Sequence, residues 1–329
     1  SVRGASWGLD DMEELYVALN IGTLVLEPGA RLKVRGNVFI MLCQNLVVRS
    51  GVPGRHQIGI LPTPFSVDFG HGPMDGAAGD RGTDGTPGSD GRAIDTEACL
   101  LGRFARETPD PAVLSGTGGS DGTVGGAGAR GRNGGMCKLA DLAIRRLSGP
   151  LTLHAQAGHG GDGGAGGCGG RGGDGGHACA GPKLIGGKVA DGTGGAAGSG
   201  GAGGKGGGAG SGGIASNIYL RVPDEALGRV QCDTRPSLPG RPGAGGKGGP
   251  AGRPGAPASQ GSKGRLGHAG SAGADGPAGR GRASPWVFVN GIAVSGQADA
   301  ATGNGRNDRP HAARIQDLRE ENRPCSTSR

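Results

Sequence analysis

The chain has 329 residues, of which 79 are glycine and 21 are proline, and aromatic residues make up only 3%. This composition excludes a conventional aromatic-rich core of that size and directs attention to repetitive folds. The net charge of +7 is a mild excess spread along the chain. Because the glycine tracts hold no aromatic side chain that could stack on a base, we expect no nucleic-acid partner.

The N-terminal part has the pattern of short β-strands separated by turns. Strands are predicted over 23–27, 31–35, 38–42 and 45–49. The dipeptides Pro28-Gly29 and Gly36-Asn37 between them are turn signals. Residues 10–20 have the spacing of a short amphipathic helix, and the apolar run 38–43 is far shorter than the ~20 residues of a membrane-spanning helix. We therefore expect residues 1–69 to form a strand-rich scaffold without a membrane span.

From residue 76 onwards, glycine recurs at every third position in six tracts of similar length. They cover 76–91, 116–135, 158–177, 192–213, 240–257 and 261–281. A period of three residues is typical of polyproline II geometry, which rises about 3.1 Å per residue. Three tracts hold no proline, which favours laterally bonded polyglycine II over a collagen triple helix, because glycine lets backbones approach closely. A flexible glycine linker has no reason to keep this phase.

The strands between the tracts predict how the tracts are arranged. Further strands are predicted over 139–147, 151–156, 217–222 and 286–289. Since each pair of tracts starts and ends at a strand, we expect antiparallel hairpins at 76–135, 158–213 and 240–281 within a bundle domain, 70–296. The predicted fold class is mainly β plus polyproline II/polyglycine II: a small β-scaffold carrying a bundle of six glycine-triplet helices in three antiparallel hairpins. Residues 297–329 are a polar, basic tail and a candidate inter-subunit arm.

Two tracts carry glycine on a second face, which predicts that they are the most deeply packed. The glycines that we expect to be structurally essential are Gly158, Gly161, Gly164, Gly167, Gly170, Gly173, Gly195, Gly198, Gly201, Gly204, Gly207 and Gly210. A β-branched side chain at these positions could not enter a contact between two backbones.

The seven cysteines are scattered and form no CxxC pair, which argues against a zinc ribbon or a redox site. Scattered cysteines in a loop-rich chain are typical of disulfides in an oxidising compartment. The disulfide candidates are Cys43, Cys99, Cys137, Cys179 and Cys232, and Cys325 in the tail is the candidate for a bond between subunits.

One stretch is dense in groups that could bind a metal. It contains His154, His159, Asp162, Cys168, Asp174 and His177. In a three-residue helix, His159, Asp162, Cys168, Arg171 and Asp174 form one row in which side chains three residues apart are separated by about 9 Å, too far for one tetrahedral zinc. We therefore expect no metal, no cofactor and no catalytic residue, and we expect the protein not to be an enzyme.

The triplets of 158–164, with the sequence GHGGDGG, resemble the polyglycine II bundles of phage tail-fibre tip adhesins and of a glycine-rich insect antifreeze protein. They also resemble secreted bacterial glycine-rich proteins in which strands alternate with such tracts. The resemblance covers roughly residues 70–295 and concerns architecture rather than a catalytic signature.

Three functions are compatible with this pattern. We expect a structural subunit of a self-assembling extracellular fibre or surface filament, with other copies of itself as its partner. The alternative is a phage-type or cell-surface adhesin that binds a receptor through the hairpin tips, 92–115 and 178–191. An ice-binding protein is the second alternative, although charged residues such as Asp80, Arg81 and Lys205 interrupt the outer faces.

Overall fold

Residues 16–49, 56–62, 74–106, 110–295 and 313–314 are described by the computed structural model. Strands are numbered in chain order. One sheet contains, in spatial order, β1 (Tyr16–Leu26), β3 (Val38–Val48), β7 (Ala140–Ser148), β11 (Ile218–Arg221), β13 (Val287–Val289) and β14 (Ile292–Ser295). All neighbours in this six-stranded sheet are parallel except β13 and β14.

A second sheet has five strands. It contains, in spatial order, β15 (Ala313–Arg314), β12 (Val230–Arg235), β8 (Leu151–Gln156), β4 (Ile58–Leu61) and β2 (Leu32–Arg35). These neighbours are parallel except β12 and β15. Two small antiparallel hairpins complete the strands: β5 (Thr96–Cys99) with β6 (Gly102–Ala105), and β9 (Lys183–Leu184) with β10 (Gly187–Lys188).

The two large sheets share one apolar core. Successive side chains of a strand point to opposite faces, and in β3 the buried residues Phe39, Met41 and Cys43 alternate with exposed ones. The inward residues of the five-stranded sheet, such as Ile60 and Leu153, are as deeply buried and belong to the same cluster. Aliphatic side chains therefore supply most of the core.

The chain passes through the two sheets in turn and then through the glycine tracts. After each strand pair β3–β4, β7–β8 and β11–β12, a glycine-rich segment leads away and another returns to the next strand. We call 76–91, 158–177 and 240–256 the outgoing segments, and 116–135, 192–213 and 261–281 the returning segments. One strand pair with its two segments makes one coil.

The segments bond laterally through their backbones at every third residue. Outgoing segments lie parallel to one another: Gly76 N–H donates to the Asp162 carbonyl at 2.7 Å. Returning segments do the same, with Gly119 N–H donating to the Ala196 carbonyl at 2.9 Å. Between the two layers the neighbours are antiparallel, as where Gly164 N–H donates to the Ala129 carbonyl at 2.9 Å. Backbone groups are thereby paired without a conventional sheet.

From the second coil onwards, the segments keep the register of the strands. His154 of β8 pairs with Asp233 of β12, 79 residues later, and the outgoing segments that follow are linked at the same offset of 79. The strands β7 and β11 and the returning segments share an offset of 78. An offset of 69 residues relates β11 to β13, and the same offset relates the last two returning segments. Strands and segments are therefore continuous parts of the same coils.

The predicted fold class is wrong. The described residues form four β-sheets, two of them large and mostly parallel, and their helical elements are the 3-10 turns Pro111–Leu114 and Asp224–Arg229. They do not form a small scaffold that carries six helices as three hairpin units. The segment 116–135 bonds antiparallel to 76–91 and equally to 158–177, so no hairpin is a separate unit. Local periodicity cannot reveal this, because it does not specify which segments become neighbours.

Most strands predicted from alternating residues are confirmed. The structure has strands at 16–26, 32–35, 38–48, 140–148, 151–156, 218–221 and 287–289. The helix expected over 10–20 is wrong from Tyr16 onwards, where β1 begins, and its first part lies outside the described residues. Of the expected arm, 297–329, the described residues 313–314 pair with β12 of the same chain.

Candidate functional site: the distal tip

The twelve glycines singled out from the sequence line contacts between neighbouring backbones. A Cβ atom built on Gly158 would lie 2.7 Å from the Gly135 nitrogen. At Gly164 and Gly204 it would lie closer still, against the carbonyls of Ala77 and Gly126. Real Cβ atoms essentially never come within 3.0 Å of such atoms. Each of the other nine is equally close to a backbone carbonyl of a neighbouring segment.

Four of the six residues considered as metal ligands, His159, Asp162, Asp174 and His177, accept backbone N–H groups instead. Asp162 accepts the Arg241 N–H at 2.7 Å, and Asp174 accepts the Arg253 N–H at 2.8 Å. Through Nδ1, His159 accepts the Leu238 N–H at 2.9 Å. Within the part of the chain that the structure describes, no group of three or more His, Cys, Asp or Glu could hold a metal. These side chains therefore accept backbone N–H groups that are not bonded to a backbone carbonyl.

The predicted disulfides are wrong for the cysteines that the structure describes, all six of which are free. Cys43, Cys137 and Cys232 are buried in the strand core, while Cys99 and Cys168 are exposed. Burial raises the pKa of Cys137 and of Cys232 to about 12, which keeps both as neutral thiols. These thiols behave as small apolar side chains of the core. Cys325 lies outside the described residues.

A polar cluster lies on the outer face of the five-stranded sheet. His154 Nδ1 and Asp233 Oδ2 are 2.8 Å apart, and the His56 ring stacks on His154 with centroids 4.9 Å apart. Gly59 leaves room for this stacking, because a Cβ there would lie 2.9 Å from His56 Nε2. Burial lowers the pKa of His56, and the neighbouring His154 lowers it further. The cluster therefore favours a neutral His56.

The distal tip consists of residues 92–106, 110–115 and 178–191, where the first two pairs of segments turn round. The hairpins β5–β6 and β9–β10 meet here, and Ile185 N–H donates to the Arg103 carbonyl at 3.0 Å. Ile185 Cγ1 lies 3.0 Å from the position of a Cβ on Gly102, whose φ of +139° is one that glycine adopts readily. The two turns thus pack directly against each other.

Asp191 connects this tip to the third turn, residues 257–260, which joins the last outgoing segment to the last returning segment. Its carboxylate accepts the Gly181 and Gln260 N–H groups and the Ser259 hydroxyl, and it pairs with Lys188 at 3.0 Å. These bonds, the Gly181 N–H foremost, hold the pKa of Asp191 well below its usual range. The side chain is only 1% exposed. One carboxylate therefore fixes the second turn to the third.

The outermost side chains of the tip are apolar. Leu100 and Leu101 form the turn between β5 and β6 and are 103% and 85% exposed. Ile185, in the adjoining turn, is 57% exposed. Polar residues, glycine or proline usually occupy such turns. We call Leu100, Leu101 and Ile185 the apex.

Basic residues adjoin the apex. Arg103 directly follows the first turn, and Lys183 and Lys188 flank the second as a cross-strand pair. Like charges directly opposite each other destabilise a hairpin. Of the carboxylates in the tip, Glu97 accepts from Arg106 Nε at 2.6 Å, Asp191 is buried and paired with Lys188, and Asp95 is exposed. The apex thus combines protruding apolar groups with the positive charge of Arg103 and Lys183, a feature that the sequence analysis did not single out within the tips 92–115 and 178–191.

A second exposed apolar region lies on the outer face of the six-stranded sheet. Ile40 and Leu42 of β3 are 39% and 49% exposed. Tyr219 stacks on Phe288 with centroids 5.3 Å apart, and Trp286 lies 6.3 Å from the same ring. At the border of this sheet, β1 pairs only with β3 among the described residues. This face and this edge are the regions where another chain could pack.

Comparisons with known proteins give little further information. No family model matches the chain, and no curated protein matches it. Among solved structures, the chain is similar to the nine polyproline type II helical bundle antifreeze protein of the springtail Granisotoma rainieri, at 24% identity over 60% of this chain and 94% of that one. The TM-score is 0.15, which does not establish a common fold. The expected resemblance to tail-fibre adhesins finds no support here.

Among the helices of the described residues, none is both long and apolar enough to cross a membrane.

Proposed function

We propose that the protein is a non-enzymatic surface protein that presents the apex to a partner, the adhesin alternative of the sequence analysis. The observation that carries this proposal is the exposure of Leu100 and Leu101, 103% and 85%, at the outer end of laterally bonded segments. The coils would hold the apex away from the sheets, at the far end of the outgoing segments 76–91 and 158–177.

The bonding of the reactive side chains supports a non-enzymatic role. Asp162, Asp174 and His159 accept backbone N–H groups, and Asp191 joins two turns. A carboxylate with such bonds acts as a structural acceptor rather than as a general base. An extracellular or cell-surface location remains part of the proposal and rests on the display of the apex, since the described cysteines are free.

Binding of the full chain to a panel of intact cells, measured by flow cytometry, tests this function. The double variant Leu100→Ser/Leu101→Ser removes the apolar apex, while Leu266→Ser removes a leucine that is 73% exposed on a returning segment and is not part of the distal tip. We expect the double variant to lose binding and Leu266→Ser to keep it. Equal binding by both variants would refute the role of the tip.

A fibre subunit is the second candidate, and the edge strand β1 favours it. β1 is eleven residues long and has one neighbour among the described residues. Long, exposed edges of this kind pair with other chains. The apolar outer face of the same sheet would be covered when copies associate.

Negative-stain microscopy of the full chain over a concentration series tests the fibre. Gly22 lies on β1 and Gly186 lies in the tip, and a Cβ on either would meet nothing within 4 Å. We expect Gly22→Lys to prevent filaments, because lysine on an edge opposes strand pairing, and Gly186→Lys to leave them intact. Monomers at every concentration for the unmodified chain would exclude this candidate.

A further inference from the structure

We infer that the apex binds an anionic lipid surface by inserting Leu100, Leu101 and Ile185 between the headgroups. The inference rests on the proposed function, for which it names the partner. Three features of the tip carry it: the shape of the apolar group, the charge around it and the residues that form the turn.

The apolar group protrudes from the molecule. Leu100 is fully exposed, so no neighbouring side chain covers any part of it, and Leu101 is nearly so. A receptor protein would need a cavity of matching shape for two such side chains. Lipid acyl chains adapt to them without one, and leucine gains about 25 cal/mol for each Å² removed from water.

The charge around the apex is suited to anionic headgroups. Arg103 and Lys183 are exposed and each lies two residues from an apex side chain, whereas the nearby Lys188 is paired with Asp191. A basic residue close to an anionic membrane gains about 1 kcal/mol.

The turn between β5 and β6 is unusual for its position. Leu100 and Leu101 stand where asparagine, aspartate or glycine would favour a tight turn. Neither leucine belongs to the core of the described residues, so neither stabilises the fold by burial. Residues that break a local rule without any gain in stability are expected at functional sites.

Sedimentation of the full chain with vesicles tests this inference. Vesicles of phosphatidylcholine alone are compared with an equimolar mixture of phosphatidylcholine and phosphatidylglycerol. We expect the unmodified chain to bind the mixed vesicles. The single variants Leu100→Ser and Leu101→Ser should each bind them with about tenfold lower affinity. Lys183→Ser should weaken binding several-fold at low salt and less at high salt. Leu266→Ser should bind as the unmodified chain does, and all variants should show its thermal midpoint, since the replaced groups are exposed.

The outcomes separate this inference from the proposed function. Failure of the unmodified chain to bind mixed vesicles, or equal binding by the leucine variants, overturns the lipid inference. If cells are still bound through the apex in that case, the partner is a protein or a glycan and the proposed function stands. If the apex contributes to binding neither cells nor vesicles, both proposals are wrong.

Discussion

At the scale of single residues, the glycine layers depend on two kinds of contact. Glycines at every third position allow backbones to meet, as Gly164 does with Ala77. Between them, a polar side chain accepts an N–H group of the next segment, as Asp121 does from Ser199 at 2.6 Å. The period of three predicts the first contact, because only glycine fits there. The second depends on which segments are neighbours, which no local pattern contains.

Two adjacent glycines of a returning segment should differ sharply in their tolerance of a methyl group. A Cβ on Gly118 would be 3.6 Å from its nearest atom, whereas on Gly119 it would collide with the Gly173 carbonyl. We therefore expect Gly119→Ala to lower the free energy of unfolding by about 2 kcal/mol or more. Gly118→Ala should change it little. Denaturant unfolding of both variants measures the difference, and equal losses would contradict the described packing.

The carboxylates that accept backbone N–H groups should make the fold sensitive to acid. The Arg171 N–H lowers the pKa of Asp84 below the usual 3.8, and the Arg253 N–H does the same for Asp174. A carboxyl whose folded pKa is lowered stabilises the fold above the unfolded pKa. That contribution is lost as the pH falls from about 4 through the folded pKa.

The variant Asp84→Asn/Asp174→Asn isolates this effect. An asparagine amide oxygen can keep the backbone bond, as Asn133 does with the Ser211 N–H at 2.9 Å. We expect the variant to fold and its thermal midpoint to fall less steeply below pH 4 than that of the unmodified chain. Asp80→Asn on the same segment is the matched control. The account would be contradicted by the same acid dependence in all three proteins.

At the scale of elements, alternating apolar residues predicted most strands, but their pairing was not predicted. The strand β12 was missed because Val230–Arg235 has only two buried apolar positions, Val230 and Cys232, among polar residues. The sequence analysis named the tips 92–115 and 178–191 but did not single out Leu100 and Leu101, which form a turn. The first two turns meet at the apex because their coils are neighbours, and the local sequence does not show this.

The cysteines provide a test at this scale. Cys99 and Cys168 are exposed, whereas Cys137 and Cys232 are buried thiols with a pKa raised to about 12. Because the thiolate is the reactive form, we expect a thiol-alkylating reagent to modify the first two quickly. The buried two should react only after denaturant is added, as peptide mapping by mass spectrometry would show. Rapid labelling of Cys137 in the folded chain, or a disulfide between described cysteines, would contradict the structure.

At the scale of the whole molecule, the coil is the repeating unit. The offsets of 78 and 79 residues are shared by strands and segments. The order of elements in a coil could have been found in the sequence, since a strand pair followed by two glycine tracts recurs, although the strand offsets are 101 and 95 residues between the first two coils and 78 and 79 between the next two. The much stronger period of three obscured it, and each tract was therefore paired with its chain neighbour. Stacked coils of this kind bury their apolar faces only against the next coil.

Native-state hydrogen exchange tests most directly whether strands and glycine segments form one structure. We expect amides of the outgoing segment 158–177 to exchange as slowly as those of β11, because the backbones of both are bonded to neighbouring coils. Their opening free energies should approach that of global unfolding. If these glycine amides instead exchange at the rate of an unstructured peptide while β11 stays protected, the continuous coil is wrong, and the rigid display of the apex is wrong with it.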